Sequence, residues 1–160
     1  MRSWLGWVAA AAGVAVVAFL VGRAGSEVEL ASPTPSPSQA PLAIIFGAAL
    51  DPQSGEAIQP MDRFRDGDDV AYSVRLAAAL GIASILVEVT RIEGDSRTVV
   101  QKPAPQVVNG SSRVIALHVP AATLLKAWGE GNYTMTMYLP GASRPFATGQ
   151  FTLVETPVAS

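Results

Sequence analysis

Between Trp4 and Gly22 the chain runs WLGWVAAAAGVAVVAFLVG, nineteen residues without a charged or strongly polar side chain. A helix of that length rises about 28 Å, close to the thickness of the hydrocarbon layer, and it satisfies its own backbone there. The run predicts a membrane-spanning signal anchor over residues 1–24. Arg2 precedes it, while Arg23 is followed closely by Glu27 and Glu29. The excess of positive charge on the N-terminal side places that end in the cytoplasm and the rest of the chain outside, at the cell (inner) membrane. A cleaved secretory signal is the rival reading, because Gly22-Arg23-Ala24 supplies small residues for a peptidase. The apolar run exceeds the roughly 7–15 residues of a usual signal core, which favours the anchor.

On a helix, Gly6, Ala10, Gly13 and Val17 share one stripe, with Trp4, Leu5, Val8 and Phe19 broadly opposite. Small residues let a second helix backbone approach, so this stripe is the expected docking face for integral membrane subunits. Trp4 and Trp7 sit at the cytoplasmic end, where indole favours the headgroup boundary of the bilayer. Residues 25–41 read as a linker: SPTPSPSQAP carries proline at 33, 35, 37 and 41, which forbids helix and favours extended polyproline-like chain.

From residue 42 to 156 the pattern changes to short β-prone runs broken by turn residues, followed by a tail at 157–160. LAIIFGAAL (42–50) reads as a first strand and DPQSGEAIQP as a long connection. VAYSVRLAA (70–78) has a period of two that turns Val70, Tyr72, Val74 and Leu76 inward, with Ser73 and Arg75 outward. SILVEVTRI (84–92) does the same with Ile85, Val87 and Val89, and EGDS leads to a partner strand at 97–102. Asn109-Gly110 between two β-prone arms predicts a hairpin, with Ile115, Leu117 and Val119 inward on its second arm. AATLLKAW allows a turn or two of helix, ended by GEGN. Then follow NYTMTMYL, inward at Tyr133, Met135, Met137 and Leu139, and FATGQFTLVE, inward at Phe151 and Leu153. The expected class is all-β, a sandwich of about seven strands behind a single transmembrane helix.

The stretch from Leu124 through GEGNYTMTMYL to ATGQFTLVE resembles the end of immunoglobulin-like and fibronectin-type domains of exported bacterial proteins. In those domains a tyrosine after a glycine-rich turn opens the penultimate strand. Tyr133 matches that tyrosine corner, which implies a hydroxyl tying a loop to the strand. The disulfide of antibody domains is absent, since the chain has no cysteine. That also removes thiolate metal sites, iron–sulfur clusters and lipoprotein acylation.

A net charge of −2 with 15% charged residues provides no basic field, so nucleic acid is not an expected partner. The one imidazole, His118, has parity opposite to Ile115 and Leu117 and reads as a surface residue rather than a catalytic base. Asp62, Asp66, Asp68 and Asp69 cluster around Gly67, yet their spacing fits no calcium loop and Arg63 and Arg65 offset their charge. Glu56, Glu88, Glu93 and Glu130 show no pairing suited to acid–base work. No catalytic residue, metal or cofactor is expected. Trp128 and Tyr138 are the candidate ligand or partner surface. The expected function is non-enzymatic: an accessory or scaffold subunit of a membrane assembly, respiratory, photosynthetic or of envelope machinery, with an extracytoplasmic protein surface as partner. The alternative is a cell-envelope module that binds glycan or another ligand through its loops.

Overall fold

Alternation with a period of two makes one face of a strand apolar, and such faces persist only when they are covered. In the computed structural model, which describes residues 40–156, two sheets cover each other in this way. The described residues form β1 (Leu42–Ala43), β2 (Ile45–Leu50), β3 (Ala57–Pro60), β4 (Arg63–Arg65), β5 (Asp69–Arg75), β6 (Ser84–Glu93), β7 (Ser96–Val107), β8 (Val114–Pro120), α1 (Ala121–Trp128), β9 (Gly131–Tyr138) and β10 (Pro145–Val154). One sheet has the order β1-β10-β9-β6-β7, with β4 also on β10; the other runs β3-β2-β5-β8. The protein is therefore all-β in its described part, apart from one short helix.

The inward residues read from periodicity form the core. Val70, Tyr72, Val74, Ile85, Val87, Val89, Tyr133, Met135, Met137, Phe151 and Leu153 are all buried. An aromatic series runs through it: Tyr72 lies 6.1 Å from Phe46, Phe46 5.0 Å from Phe151, and Phe151 5.5 Å from Tyr133 between ring centroids. Each such ring contributes roughly 1.5–3 kcal/mol by leaving water. Leu139, expected inward, is half-buried just past the end of β9.

Several expectations are corrected. Residues 42–50 form two strands in different sheets, because the chain crosses the sandwich at buried Ile44: β1 lies parallel to β10, and β2 antiparallel to β5. Crossing there requires Gly149, whose added Cβ would stand 2.7 Å from Ile44 Cβ. The stretch 51–60 is a hairpin rather than a long connection. Asp51 Oδ1 accepts the N–H groups of Gln53 and Ser54, which folds the chain back into β3. The same backbone N–H groups hold the Asp51 carboxyl below the usual carboxylate range. This turn covers the outer face of its sheet, so Ser73, expected to face solvent, is buried and its Oγ accepts the Ala57 N–H.

The acidic loop at 62–69 contains β4, with Phe64 fully buried between exposed Arg63 and Arg65. β1 and β4 cover the two ends of one edge of β10, against Ala147–Thr148 and Thr152–Val154 respectively. Unpaired sheet edges invite association, and this one is closed in two pieces. The strand expected at 97–102 extends from 96 to 107, taking in Pro103 and Pro105. Proline is tolerated there because β7 is an edge strand with no neighbour on its far side among the described residues.

Asn109-Gly110 does not join a hairpin. Its arms, β7 and β8, belong to opposite sheets, and the turn carries the chain between them. Gly110 serves close approach rather than positive φ: a Cβ there would lie 2.3 Å from the Ile82 carbonyl oxygen, and the Gly110 carbonyl accepts the Gly81 N–H. The true hairpin turn is Gly94-Asp95, with Gly94 at φ 58 in the first central position between paired Glu93 and Ser96.

Candidate functional site

α1 brings Trp128 to the corner before β9. The helix ends because Gly129 adopts φ 80 while its N–H bonds to the Leu125 carbonyl. Trp128 is half-buried and tilted against Tyr133, with ring centroids 5.7 Å apart. The Tyr133 hydroxyl stands 2.9 Å from the carbonyl oxygens of both Trp128 and Gly129, and its single proton serves these two acceptors. The hydroxyl thus ties the Trp128-Gly129 corner to the start of β9. Arg91 Nη1 donates to the same Trp128 carbonyl at 3.2 Å. Its Nε lies 2.7 Å from Glu93 Oε1, but the N–H does not aim at the carboxylate, so the contact is an ion pair without a hydrogen bond. Gly131 makes room, since a Cβ there would meet Arg91 Nε at 3.1 Å.

Removing the Tyr133 hydroxyl leaves carbonyls at this corner short of a donor. Tyr133→Phe is expected to lower unfolding stability by about 1–2 kcal/mol, read from denaturant midpoints, with the near-ultraviolet signal of Trp128 altered.

Beside this corner, residues of both sheets enclose a cavity of about 110 Å³. Tyr72, Val89, Gln101, Leu124, Trp128 and Met135 are among its walls. The register of β6 on β7 shifts around Val87 and Val89, and the Gln101 side chain donates to the Val87 carbonyl at 3.2 Å. The polar side-chain groups of the lining residues are the amides of Gln101 and Gln106, the hydroxyl of Tyr72 and the indole N–H of Trp128. The lining contains no carboxylate or imidazole.

Burial pushes the Tyr72 hydroxyl up to about 12, from an ordinary value of 10.0. The neutral form is thus preferred in the fold. Stability is fully present below pH 10 and declines as pH rises from 10 toward 12, where the unfolded chain ionises first. Tyr72→Phe is expected to remove this part of the alkaline loss, roughly 2 kcal/mol between pH 9 and about 11.5, read from denaturation curves at the two values.

Tyr138 lies elsewhere, at the other end of β9 and on the outward face. It lines a shallow depression with Glu88, Thr90, Val99, Thr136 and Thr148, its hydroxyl 3.5 Å from Glu88 Oε1. Burial, then the nearby Glu88 carboxylate, raise its hydroxyl above the ordinary value. The two candidate aromatic residues are therefore not brought together: Trp128 packs between the sheets and Tyr138 sits on the outside of one.

His118 is exposed on β8. Among the described residues no three Asp, Glu or His side chains converge on a point. Asp68 is engaged in its own turn, with Oδ2 accepting the Arg65 N–H at 2.7 Å. Glu56, read as unpaired with another carboxylate, binds Arg75 at 2.6 Å on the surface, and this partner holds its carboxyl below the usual range. Trp4, Gly6, Trp7, Ala10, Gly13 and Val17 lie outside the described residues. Among the described residues no helix is long and apolar enough to cross a membrane.

Sequence reasoning missed Arg91, Gln101 and Gly131 at the corner and cavity. Arg91 carried a usable signal, because it continues the inward parity of Ile85, Val87 and Val89. Gln101 carried none, since its role depends on the bulge. No protein-family model matches the chain, and comparison with curated proteins finds no significant relative.

Proposed function

We propose that this is a non-enzymatic, single-pass membrane protein that holds an immunoglobulin-like sandwich outside the cytoplasm as an accessory or scaffold subunit of a larger membrane assembly. Respiratory, photosynthetic and envelope machineries are the classes it suits. The observation that carries the reading is the uncharged run Trp4–Gly22, followed by proline at alternate positions and then by a β domain. The domain is then presented outside the bilayer, and the Gly6, Ala10, Gly13, Val17 stripe docks against neighbouring helices.

The immunoglobulin-like assignment is supported by strand order. With β2, β5, β6, β7, β8, β9 and β10 taken in turn as strands A, B, C, C′, E, F and G, sheet A-B-E faces sheet G-F-C-C′. The Tyr133 hydroxyl at the E–F corner agrees with it. β1, β3 and β4 are additions at the sheet edges. The subunit reading is preferred to a glycan-binding one because Trp128 and Tyr138 do not share a surface, which removes the clustered aromatic platform that sugar stacking uses.

The test is extraction in a gentle detergent, purification through a C-terminal tag and identification of co-eluting chains. Defined integral membrane partners are expected, and Gly6→Ile with Gly13→Ile should deplete them while the sandwich stays folded. Recovery of the mature chain from the aqueous fraction, without residues 1–24, would sink the proposal.

A further inference from the structure

Among the described residues the sandwich has three unpaired edges besides the one closed by β1 and β4, and they are not protected alike. β7 carries Lys102, Pro103 and Pro105, devices that keep other strands away. β3 has four residues, with Gln59 at φ 50 and a terminal proline. β8, Val-Ile-Ala-Leu-His-Val-Pro, has no Lys, Arg, Asp or Glu and no proline before its last residue.

Hydrogen-bond phase shows which groups of β8 are free. Residues of β5 and β8 are opposed as Val74↔Ile115 and Tyr72↔Leu117, and the Leu76 N–H bonds to directly opposite Arg113, as the Ala121 N–H does to Asp68. Odd-numbered residues of β8 therefore exchange bonds with β5. Val114, Ala116 and His118 direct N–H and C=O away from it, as Pro120 does its carbonyl. Ser112 Oγ occupies the first of these, accepting the Val114 N–H at 2.9 Å and donating to the Val114 carbonyl at 2.8 Å. Pro120 has no N–H to offer. The Pro120 carbonyl belongs to the N-cap of α1, where it serves the first helical turn, so what remains is a window of four groups, the N–H and C=O of Ala116 and His118.

We infer that this window pairs with the same window of a second copy, in an antiparallel ladder centred on Leu117. In that register Ala116 opposes His118 of the partner, so all four groups bond reciprocally across a two-fold axis. Val114 falls opposite Pro120, and the missing donor of the proline is supplied in advance by Ser112. No like charges are directly opposed, because β8 has no Lys, Arg, Asp or Glu and His118 stands opposite Ala116 of the other copy. Arg113 enters the row of the other copy's Asp68, about 10 Å away across the small Ala121, which places opposite charges at both ends. Leu117 and Val119 point inward yet are half-buried, and the added strand covers them. The inference does not depend on the membrane reading.

The chain has no cysteine, so introduced thiols report this contact alone. At the axis, Leu117 of the two copies forms a non-hydrogen-bonded pair with Cα atoms about 4.5 Å apart, within disulfide reach. The two Val119 positions lie about 14 Å apart in the same arrangement. Full-length Leu117→Cys in detergent micelles, oxidised mildly, is expected to give at least about ten-fold more disulfide dimer than Val119→Cys. Ala116→Pro, which removes an N–H unused within the monomer, should suppress that dimer. A mixture of Ala116→Cys and His118→Cys chains, altered only on the outward face, should form the mixed disulfide and covers the case in which Leu117→Cys folds poorly. Equal cross-linking at 117 and 119, a dimer indifferent to Ala116→Pro, or a monomeric wild-type chain by sedimentation in detergent would each overturn the inference. A dimer held by the N-terminal segment would give the second of these results.

Discussion

Phe64→Ala is expected to be among the most destabilising single substitutions in the described domain, at about 3–5 kcal/mol. The side chain is 0% exposed although it lies in a three-residue strand between two arginines and within an acidic stretch. Truncation removes apolar surface from the core and leaves a hole beneath β4. That strand is held by only a short parallel pairing, Arg63–Arg65 against Thr152–Val154. Loss of its anchor should also free the Thr152 end of the β10 edge, so amide exchange there should quicken beyond the global loss. Chemical denaturation checks the first effect and hydrogen exchange the second. A change below about 1 kcal/mol would mean that β4 is not fixed to the core by this ring.

Gly110→Ala follows, with an expected cost of about 2–3 kcal/mol or more. A methyl group at this position would lie 2.3 Å from the Ile82 oxygen and 2.8 Å from its carbon and nitrogen. These are backbone atoms, so relief requires moving the segment that leads into β6. Gly94→Ala is the comparison: Gly94 has φ 58 and no atom within 4 Å of an added Cβ, so its cost is conformational and should stay near 1 kcal/mol. If Gly110 served an ordinary Asn-Gly hairpin turn, the two substitutions would cost the same. Denaturant midpoints of the two variants decide it.

The core strands were legible because their pattern is local. Val70, Tyr72 and Val74, Ile85, Val87 and Val89, and Tyr133, Met135 and Met137 each alternate over enough residues to set a buried face without knowledge of the partner strand. The end of α1 was legible for the same reason, through GEGN, whereas the Tyr133 tie was anticipated only through the resemblance of that segment to immunoglobulin-like domains. The short edge strands could not be. β1, β3 and β4 have two to four residues each and exist because a longer strand offers them an edge. The candidate surface fared differently: Trp128 and Tyr138 were singled out by residue type, and type carries no information on which face of β9 or which end of the sandwich a ring occupies.

Sequence alone determined the class of the domain, its inward faces and the contrast between an uncharged opening run and the β-patterned remainder, since hydrophobic period and backbone chemistry are properties of neighbouring residues. Tertiary structure decided the rest. It sent the two arms around Asn109-Gly110 to different sheets, split residues 42–50 at Ile44, buried Ser73 beneath the Asp51 turn and left Ala116 and His118 facing outward from an unguarded edge. Each of these outcomes depends on which distant backbone lies alongside, and strand pairing is chosen by the summed burial of both sheets rather than by any segment on its own.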